Sequence, residues 1–455
     1  MRGTLSNFCK SKMKNSITAI SLYATATALV FALAAGSAAA VVTFHPHLST
    51  ETVYTDNVDL TPYNEEHDFI TTISPGMDLH AQGRISEATL SYTPSYSMYS
   101  RFSDNNSMRH DASLDAMQEI SRNTRIEFSD DYLYTEDPLE GPLYSLEDPG
   151  ADVDTTVRRR RESYSTNSTQ LFLIHDFGPE DTLEVGYEYF FEDNDDEALE
   201  DRDYQRPSLI LTYWPVQERW GTETELSYTI RDYDESADYD DAYARLRLIR
   251  RFGPHLDAYV EYAHEVTDYE SDAEGEDEGE DYQVYTPAAG FSWEPSPRSH
   301  VSARFGYYFQ DNDDGENESG PSATVETSYR WSEHQTFSLI GEAGYDQTDD
   351  EAENLGFREY YSVRGIMDYQ LSRRLVGRLS VGYFNNTYTE VGPEREDEVW
   401  SAGAGLACQV FSWMAVELDY AFRDLSSDLE LDEYTENRAM IRFVFAPRTP
   451  IVLHR

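Results

Sequence analysis

Charged side chains recur at every second position along many segments of this chain. Arg245 and Arg247 are spaced in this way, and so are Glu417 and Asp419. Guanidinium and carboxylate groups in such rows can exchange hydrogen bonds with polar or charged solutes. The candidates for this chemistry are Arg245, Arg247, Glu261, Arg304, Arg378, Glu417, Asp419, Arg438 and Arg442.

The elements that must position these side chains are β-strands. Val416, Leu418 and Tyr420 alternate with Glu417 and Asp419. Successive side chains of a strand point to opposite faces, so one face is apolar and the other is charged. If the apolar face meets lipid, the charged face lines a lumen and sets solute preference. The alternative is that these residues pair across neighbouring strands and only keep the interior wet.

A repeat of strands and connections extends over most of the chain. Acidic runs such as Glu192–Asp196 and Asp346–Glu353 alternate with short breaks such as Phe411–Trp413. The segments between them run about 11 to 14 residues, against about 5 to 6 for a usual globular strand. Short periplasmic turns and long acidic extracellular loops are typical of an outer-membrane barrel. The sequence therefore predicts an all-β, up-and-down antiparallel transmembrane barrel of about 18 to 20 strands.

The composition excludes several other classes of protein. The chain has 455 residues, with 86 acidic and 35 basic residues, and no lysine follows Lys14. Nucleic acid is excluded as a partner because binding a polyanion requires basic stripes. An aromatic content of 13% argues against a disordered acidic chain, which lacks apolar area to bury.

The first 40 residues read as an export signal. Lys10, Lys12 and Lys14 form part of a basic start, an apolar stretch follows, and Ala38–Ala40 provides a small-residue cleavage site. The alternative is an uncleaved helical anchor. The predicted organisation is a signal peptide at 1–40 and a barrel at 41–455, with Cys408 as the single thiol of the mature chain.

One N-terminal stretch resembles a specific bacterial family. Thr50–Val58, Asp68–Gly76 and Leu90–Tyr92 are similar to the N-terminal pattern of the beta-barrel porins of type two, which are associated with exopolysaccharide gene clusters. The resemblance implies a barrel in the outer membrane of a Gram-negative bacterium, with a role in polysaccharide export. The polysaccharide and polysaccharide export proteins are partners that this resemblance implies, whereas the barrel pattern and the acidic loops predict outer-membrane lipid, lipopolysaccharide and the barrel assembly machinery.

The end of the chain departs from the usual barrel pattern. Barrels commonly finish on an aromatic residue, and Ile441–Phe445 has the form of such a strand, but the extension Ala446–Arg455 follows it. The signal that the assembly machinery reads is then either internal or supplied by Ile451–Leu453.

The longest irregular segment, Glu136–Glu162, ends in four consecutive arginines. Arg158, Arg159, Arg160 and Arg161 could form a constriction inside the lumen, where they would bind carboxylates or phosphates of a passing polymer. The alternative is a solvated charge run that meets acidic neighbours.

Metal and catalytic chemistry have little support in the sequence. Asp311–Gly315 is rich in carboxylates but lacks the register of an EF-hand loop, so diffuse binding of divalent ions is favoured over a specific site. No nucleophile elbow, paired-His motif or phosphate loop occurs. The prediction is a non-enzyme without metal or cofactor.

Three functions remain open at this stage. The first is a channel that supports exopolysaccharide export, with Arg304, Arg378 and Glu417 as the mid-strand residues nearest the polymer. The second is a general diffusion porin for small solutes. The third is a structural barrel whose acidic loops bind surface partners.

The cleavage site gives the first testable prediction. Mature protein isolated from outer membranes should begin at Val41, because the alanine triplet ends at Ala40. N-terminal sequencing measures this directly. An N-terminus at Met1 would reject cleavage.

Overall fold

The structure is a computed structural model, and it describes most of the chain after residue 40. The described residues are 41–136, 163–196, 199–216, 219–234, 236–269, 281–312, 317–350, 353–388, 395–429 and 432–454, without the side chains of 347–356. Among them, no helix has the length and apolar character that a membrane crossing requires. The predicted signal peptide and Arg158–Arg161 lie outside the described residues.

Twenty long antiparallel strands form a closed barrel. Each strand pairs with the next along the chain, and the last long strand pairs with the first. The predicted all-β barrel and its strand number are confirmed. The strands are β1 (Val41–Thr55), β2 (Asp68–Gln82), β3 (Ser86–Tyr99), β4 (Ser107–Ser121), β5 (Thr124–Thr135), β6 (Tyr164–Asp176), β7 (Thr182–Asn194), β8 (Arg202–Val216), β9 (Trp220–Tyr233), β10 (Tyr239–Gly253), β11 (Leu256–Tyr269), β12 (Tyr282–Ser296), β13 (Ser299–Asn312), β14 (Ser319–Ser332), β15 (Gln335–Asp350), β16 (Glu353–Ser372), β17 (Leu375–Tyr388), β18 (Arg395–Phe411), β19 (Met414–Ser427) and β20 (Tyr434–Phe445), with a short β21 (Ile451–His454).

The C-terminal extension completes the barrel wall beside β1. β20 pairs with the second half of β1, from Leu48 to Thr55. β21 pairs with the first half, where Phe44 lies opposite Ile451. The extension therefore takes the position that a longer β20 would have occupied, so the edge of β1 is covered along most of its length.

The apolar strand face points outward. Leu418 is 47% exposed and Leu379 is 55% exposed, whereas the side chain of Glu261, on the opposite face of its strand, is 1% exposed. A continuous outer surface of exposed apolar side chains is stable in lipid rather than in water. The face that carries Glu261 is called the interior face below.

Aromatic residues mark both edges of the apolar surface. At the end with the short turns, called the short-turn end, Trp220, Phe252, Trp331 and Trp413 are exposed on the outside. Toward the other end, the long-loop end, a tyrosine hydroxyl donates to a polar residue of the next strand, as Tyr420 does to Asn437 Oδ1 at 2.7 Å. Such belts are typical of the two membrane interfaces.

Serine shapes several of the short turns. The hydroxyl oxygens of Ser296, Ser332 and Ser372 each accept a hydrogen bond from the backbone N–H two residues later, at 3.2 Å. A serine side chain can replace a backbone acceptor in a tight turn. This local chemistry explains why the serine-containing breaks of the sequence coincide with hairpin turns.

Several acidic runs belong to strands rather than to loops. Glu192 lies in β7 and forms an ion pair with Arg202 at 3.2 Å, and Asp397 lies in β18 beside Arg395 at 2.9 Å. These acidic runs therefore extend into the strands that flank the loops predicted from the sequence. Arginines near the long-loop ends neutralise these carboxylates, so the sheet continues beyond the apolar surface.

The orientation of the two faces predicts a sharp difference between neighbouring positions of β17. Changing lipid-facing Leu379 to Arg should destabilise the barrel by about 2 to 4 kcal/mol near the midplane, because the charge is placed in hydrocarbon. Changing Ser380 to Arg on the interior face is the control and should have little effect. Unfolding in urea, followed in lipid vesicles, measures both, and equal losses would contradict the assignment of faces.

Candidate functional site

Three arginines converge on one carboxylate in the middle of the interior face. Glu261 on β11 accepts from Arg247 at 2.6 Å, from Arg304 at 2.7 Å and from Arg245 at 3.3 Å. Its side chain is almost fully buried by these partners. Charge-assisted contacts of this kind are shorter and stronger than those between neutral groups. Four of the predicted candidates thus form one network.

Neighbouring strands extend this network. Arg245 also contacts Glu223 at 2.9 Å and Glu225 at 2.5 Å, both on β9. On the other side, Arg304 donates to the hydroxyl of Ser322 on β14 at 2.6 Å. The group is called the central network, and it runs around the interior wall from β9 to β14.

Small residues on β12 allow this network to form. Glu261 and Arg304 lie on β11 and β13, with Ala288 and Gly290 on the strand between them. The Tyr259 ring lies over Gly290, where an added Cβ would overlap it. The Arg247 guanidinium is 4.4 Å from the centroid of the same ring. A large side chain on β12 would separate the two charges, so glycine and alanine are needed here.

Another group of candidates lies where the first and last strands meet. Arg442 on β20 contacts Glu51 on β1 at 2.8 Å and Glu417 on β19 at 3.3 Å. Asp419 follows two residues after Glu417 on the same face, and Arg438 lies 3.7 Å from Glu436. These ion pairs connect three strands across the closure of the barrel.

The ninth candidate, Arg378, lies two strands from Asp419, with Gly405 on the strand between them. Arg378 on β17 contacts Asp368 on β16 at 2.7 Å. Arg304 and Arg378 therefore belong to different ion-pair networks, although the sequence pattern treated them alike. Each predicted arginine of the interior face has a carboxylate partner, as the pairing alternative expects, and these partners hold the guanidinium groups in place.

Sequence reasoning missed the carboxylates that complete these pairs. Glu51, Glu223, Glu225 and Asp368 all lie on the interior face opposite an arginine. The sequence shows that these carboxylates alternate with apolar or small residues. The arginine that each carboxylate meets depends on the strand register, which the sequence pattern does not give. A one-residue slip would have moved each of them to the other face.

The connection between β1 and β2 enters the interior at the long-loop end. Leu60 belongs to one buried apolar cluster with Phe384, Val399, Leu425 and Tyr434, which lie on the interior faces of β17, β18, β19 and β20. This loop therefore covers part of the lumen wall.

The hairpin of β15 and β16 provides another inward element. Along the chain, β15 pairs with β14 from Gln335 only as far as Ala343. Beyond Ala343 the strand leaves β14, and Tyr345 turns toward the interior. Its ring is 4.8 Å from that of Tyr308, and its hydroxyl donates to Glu265 at 3.1 Å. Phe357 on β16 stacks on the same tyrosine at 5.3 Å.

Metal chemistry has no visible basis in the described residues. They contain no group of three or more His, Cys, Asp or Glu arranged to hold a metal ion. Part of the carboxylate-rich stretch Asp311–Gly315 lies outside the described residues.

Comparison with known families supports the porin resemblance. Residues 233–446 match the family described as "Putative beta-barrel porin 2". The family resemblance is thus confirmed through residues from the end of β9 to just beyond β20, a region that does not include the N-terminal stretches. No curated protein sequence matches the chain significantly.

Solved structures share the architecture at low sequence identity. The FrpB iron transporter of Neisseria meningitidis (F5-1 variant) gives a TM-score of 0.54 at 8% identity, covering 89% of this chain and 82% of the transporter. The siderophore receptor PirA of Pseudomonas aeruginosa gives 0.50 at 9%, covering 89% and 80%. PirA of Acinetobacter baumannii gives 0.52 at 7%, with the same coverage. These similarities show the fold alone, which is that of outer-membrane barrels.

The central network predicts unequal effects of removing its carboxylates. Changing Glu261 to Ala should lower the free energy of unfolding by about 3 to 5 kcal/mol, because buried guanidinium groups lose their shared partner. Changing Glu225 to Ala is the matched control, with an expected loss of about 1 kcal/mol or less, since Glu225 is more exposed and Arg245 keeps two other carboxylates. Urea unfolding in lipid vesicles measures both values, and a smaller loss for Glu261 would refute the shared-partner account.

Proposed function

We propose that this chain is an outer-membrane channel that supports the export of an exopolysaccharide. The observation that carries the proposal is a closed barrel of twenty strands whose interior face is polar and ion-paired at mid-height. Barrels of about 16 to 18 strands already leave an aqueous channel. The family resemblance supports the choice of polysaccharide among polar solutes.

The chemistry of the wall suits a polymer rich in hydroxyls. Arg304 presents guanidinium donors near the middle of β13. Arg378 and Glu417, which the sequence pattern placed at mid-strand, lie nearer the short-turn ends of β17 and β19, where they present a guanidinium and a carboxylate. Their ion pairs leave further donor and acceptor positions for exchange with sugar hydroxyls. Because each charge is already balanced, a sugar would be held weakly and released easily. Weak, repeated contacts are what transport along a channel requires.

A general diffusion porin is the alternative that one observation favours. The arginines of the central network are all engaged by protein carboxylates, so the wall does not need a polymer to satisfy its charges. A water-filled barrel of this kind would also pass small solutes. Secretion of polysaccharide distinguishes the two functions.

The remaining parts of the proposal concern location and partners. We place the protein in the outer membrane of a Gram-negative bacterium after signal-dependent export. The barrel assembly machinery would insert it, and the acidic long-loop end would face lipopolysaccharide through divalent ions. Polysaccharide export proteins would deliver the polymer at the short-turn end.

Export itself can be tested in cells. Changing Arg304, Arg378 and Glu417 together to Ala should reduce secreted polysaccharide while the barrel still assembles, because the wall loses hydrogen-bonding groups. Secreted sugar is measured in the culture medium, with Ser380→Ala as the control on the same face. If a deletion strain secretes normal amounts, the export function is wrong and the diffusion porin replaces it.

Conductance provides an independent prediction. In planar bilayers the pore should favour cations at low salt, because carboxylates near the long-loop end raise the local cation concentration. The preference should fade near 1 M salt, where the screening length is about 3 Å. Reversal potentials at several salt gradients measure it. Preference for anions would mean that interior arginines dominate the field.

A further inference from the structure

We infer that residues 56–61, in the connection between β1 and β2, are a fixed constriction of the pore at its long-loop end. This inference rests on the proposed channel function and adds the element that limits what passes. The segment is called the mouth segment below. It differs from the constriction expected at Arg158–Arg161, which lies outside the described residues.

The mouth segment covers the interior faces of seven consecutive strands. Leu60, which is 2% exposed, is buried in a cluster whose other members are side chains of β17, β18, β19 and β20. Val58 packs against Val53, Ile70 and Tyr99, which lie on β1, β2 and β3. Leu425 and Tyr434 share their strand faces with Glu417 and Arg438, respectively. The segment therefore lies inside the barrel and not above its rim.

The backbone at Leu60 is held in a conformation that leucine rarely adopts. Its φ angle is +47°, in the left-handed region. Such a residue persists only when its surroundings compensate the strain, and such residues cluster at functional positions. Here the compensation is the apolar contact with four strands. An unconstrained surface loop would have no reason to retain leucine at this φ angle.

Polar contacts fasten the mouth segment to the last strand. Asn57 is fully buried, and its amide donates to the carbonyl oxygens of Thr61 at 2.9 Å and Thr435 at 3.1 Å. Its own side-chain oxygen accepts from the N–H of Thr61 at 3.0 Å. The amide nitrogen and the amide oxygen of Asn57 therefore both hold the backbone of the mouth segment in place.

Asp56 provides the neighbouring attachment. Its carboxylate accepts from the backbone N–H and from the side-chain amide of Asn437 on β20, both at 2.7 Å. Thr55 donates to Glu436 at 2.8 Å. Three consecutive residues of the N-terminal motif thus bind three consecutive residues of β20. This attachment explains why the segment is a fixed part of the wall.

The other end of the connection is also fixed. Asp68 is fully buried, and its carboxylate accepts from the backbone N–H groups of Arg101 at 3.0 Å and Phe102 at 3.2 Å. The connection between β1 and β2 is therefore anchored to β20 at one end and to the connection between β3 and β4 at the other. An insertion anchored at both ends reduces the opening permanently.

The experiment releases the mouth segment from the wall by removing its apolar and its polar attachment. Leu60→Gly deletes the inserted side chain, and glycine adopts the +47° φ angle without strain. Asn57→Ala deletes the contacts to Thr61 and Thr435. Tyr63→Ala, in the same connection but 61% exposed, is the matched control. Purified variants are compared with the wild type in planar bilayers by single-channel conductance and by the largest polyethylene glycol that enters the pore.

We expect Leu60→Gly and Asn57→Ala to raise the conductance and the polymer size limit, with no change for Tyr63→Ala. Folding of each variant is checked by the shift between unboiled and boiled samples on a detergent gel. Current through the variants but not through the wild type would also support the inference. If both folded variants carry the same current as the wild type, the constriction is overturned and the channel function is retained. No current from any protein would overturn both.

Discussion

The structure depends on the requirement that backbone groups inside a bilayer have partners within the protein. Lipid offers no hydrogen bonds, so a sheet in hydrocarbon must close on itself. Nineteen of the strand pairs join neighbours that a turn already connects, whereas the pair of β1 with β20 joins the two ends of the chain. Loop closure over this length has the largest entropic cost. Side chains reinforce this pair: Arg442 bridges Glu51 and Glu417, and Asp56 binds Asn437.

Closure also determines the character of the interior. The strands must present an apolar face to lipid, so alternation leaves polar side chains on the inside. Buried charged groups there are stable only when they have partners, and three arginines contact the carboxylate of Glu261. The part of the wall around Glu261 is therefore rigid, and its charges are paired. It offers many weak contacts to a polar solute without one dominant binding site.

The sequence was sufficient for the architecture and for the choice of interior residues, but not for their grouping. Alternation, long strands and turn residues predicted a barrel of about 18 to 20 strands, and this local information does not depend on register. The contact between Glu261 and Arg304 depends on register across three strands and on Gly290. The insertion of Leu60 depends on tertiary contacts between residues more than three hundred positions apart in the chain. The mouth segment begins within Thr50–Val58, one of the stretches that carried the family resemblance, but the pattern alone did not reveal that it folds inward.

The two inward elements lie over different parts of the wall, which bears on the proposed substrate. The mouth segment covers β17 to β20 and β1 to β3, and the hairpin of β15 and β16 reaches Glu265 and Tyr308 on β11 and β13. On β4 and β5, outside both groups of covered strands, the interior face carries Asp115 and Asp131, beside an Asp111 that is paired with Arg109 at 3.3 Å. Carboxylates accept hydrogen bonds from hydroxyls but repel anions. Asp115 and Asp131 therefore make this side of the proposed channel less favourable for an acidic polysaccharide than for a neutral one, because an anionic polymer would meet like charges here.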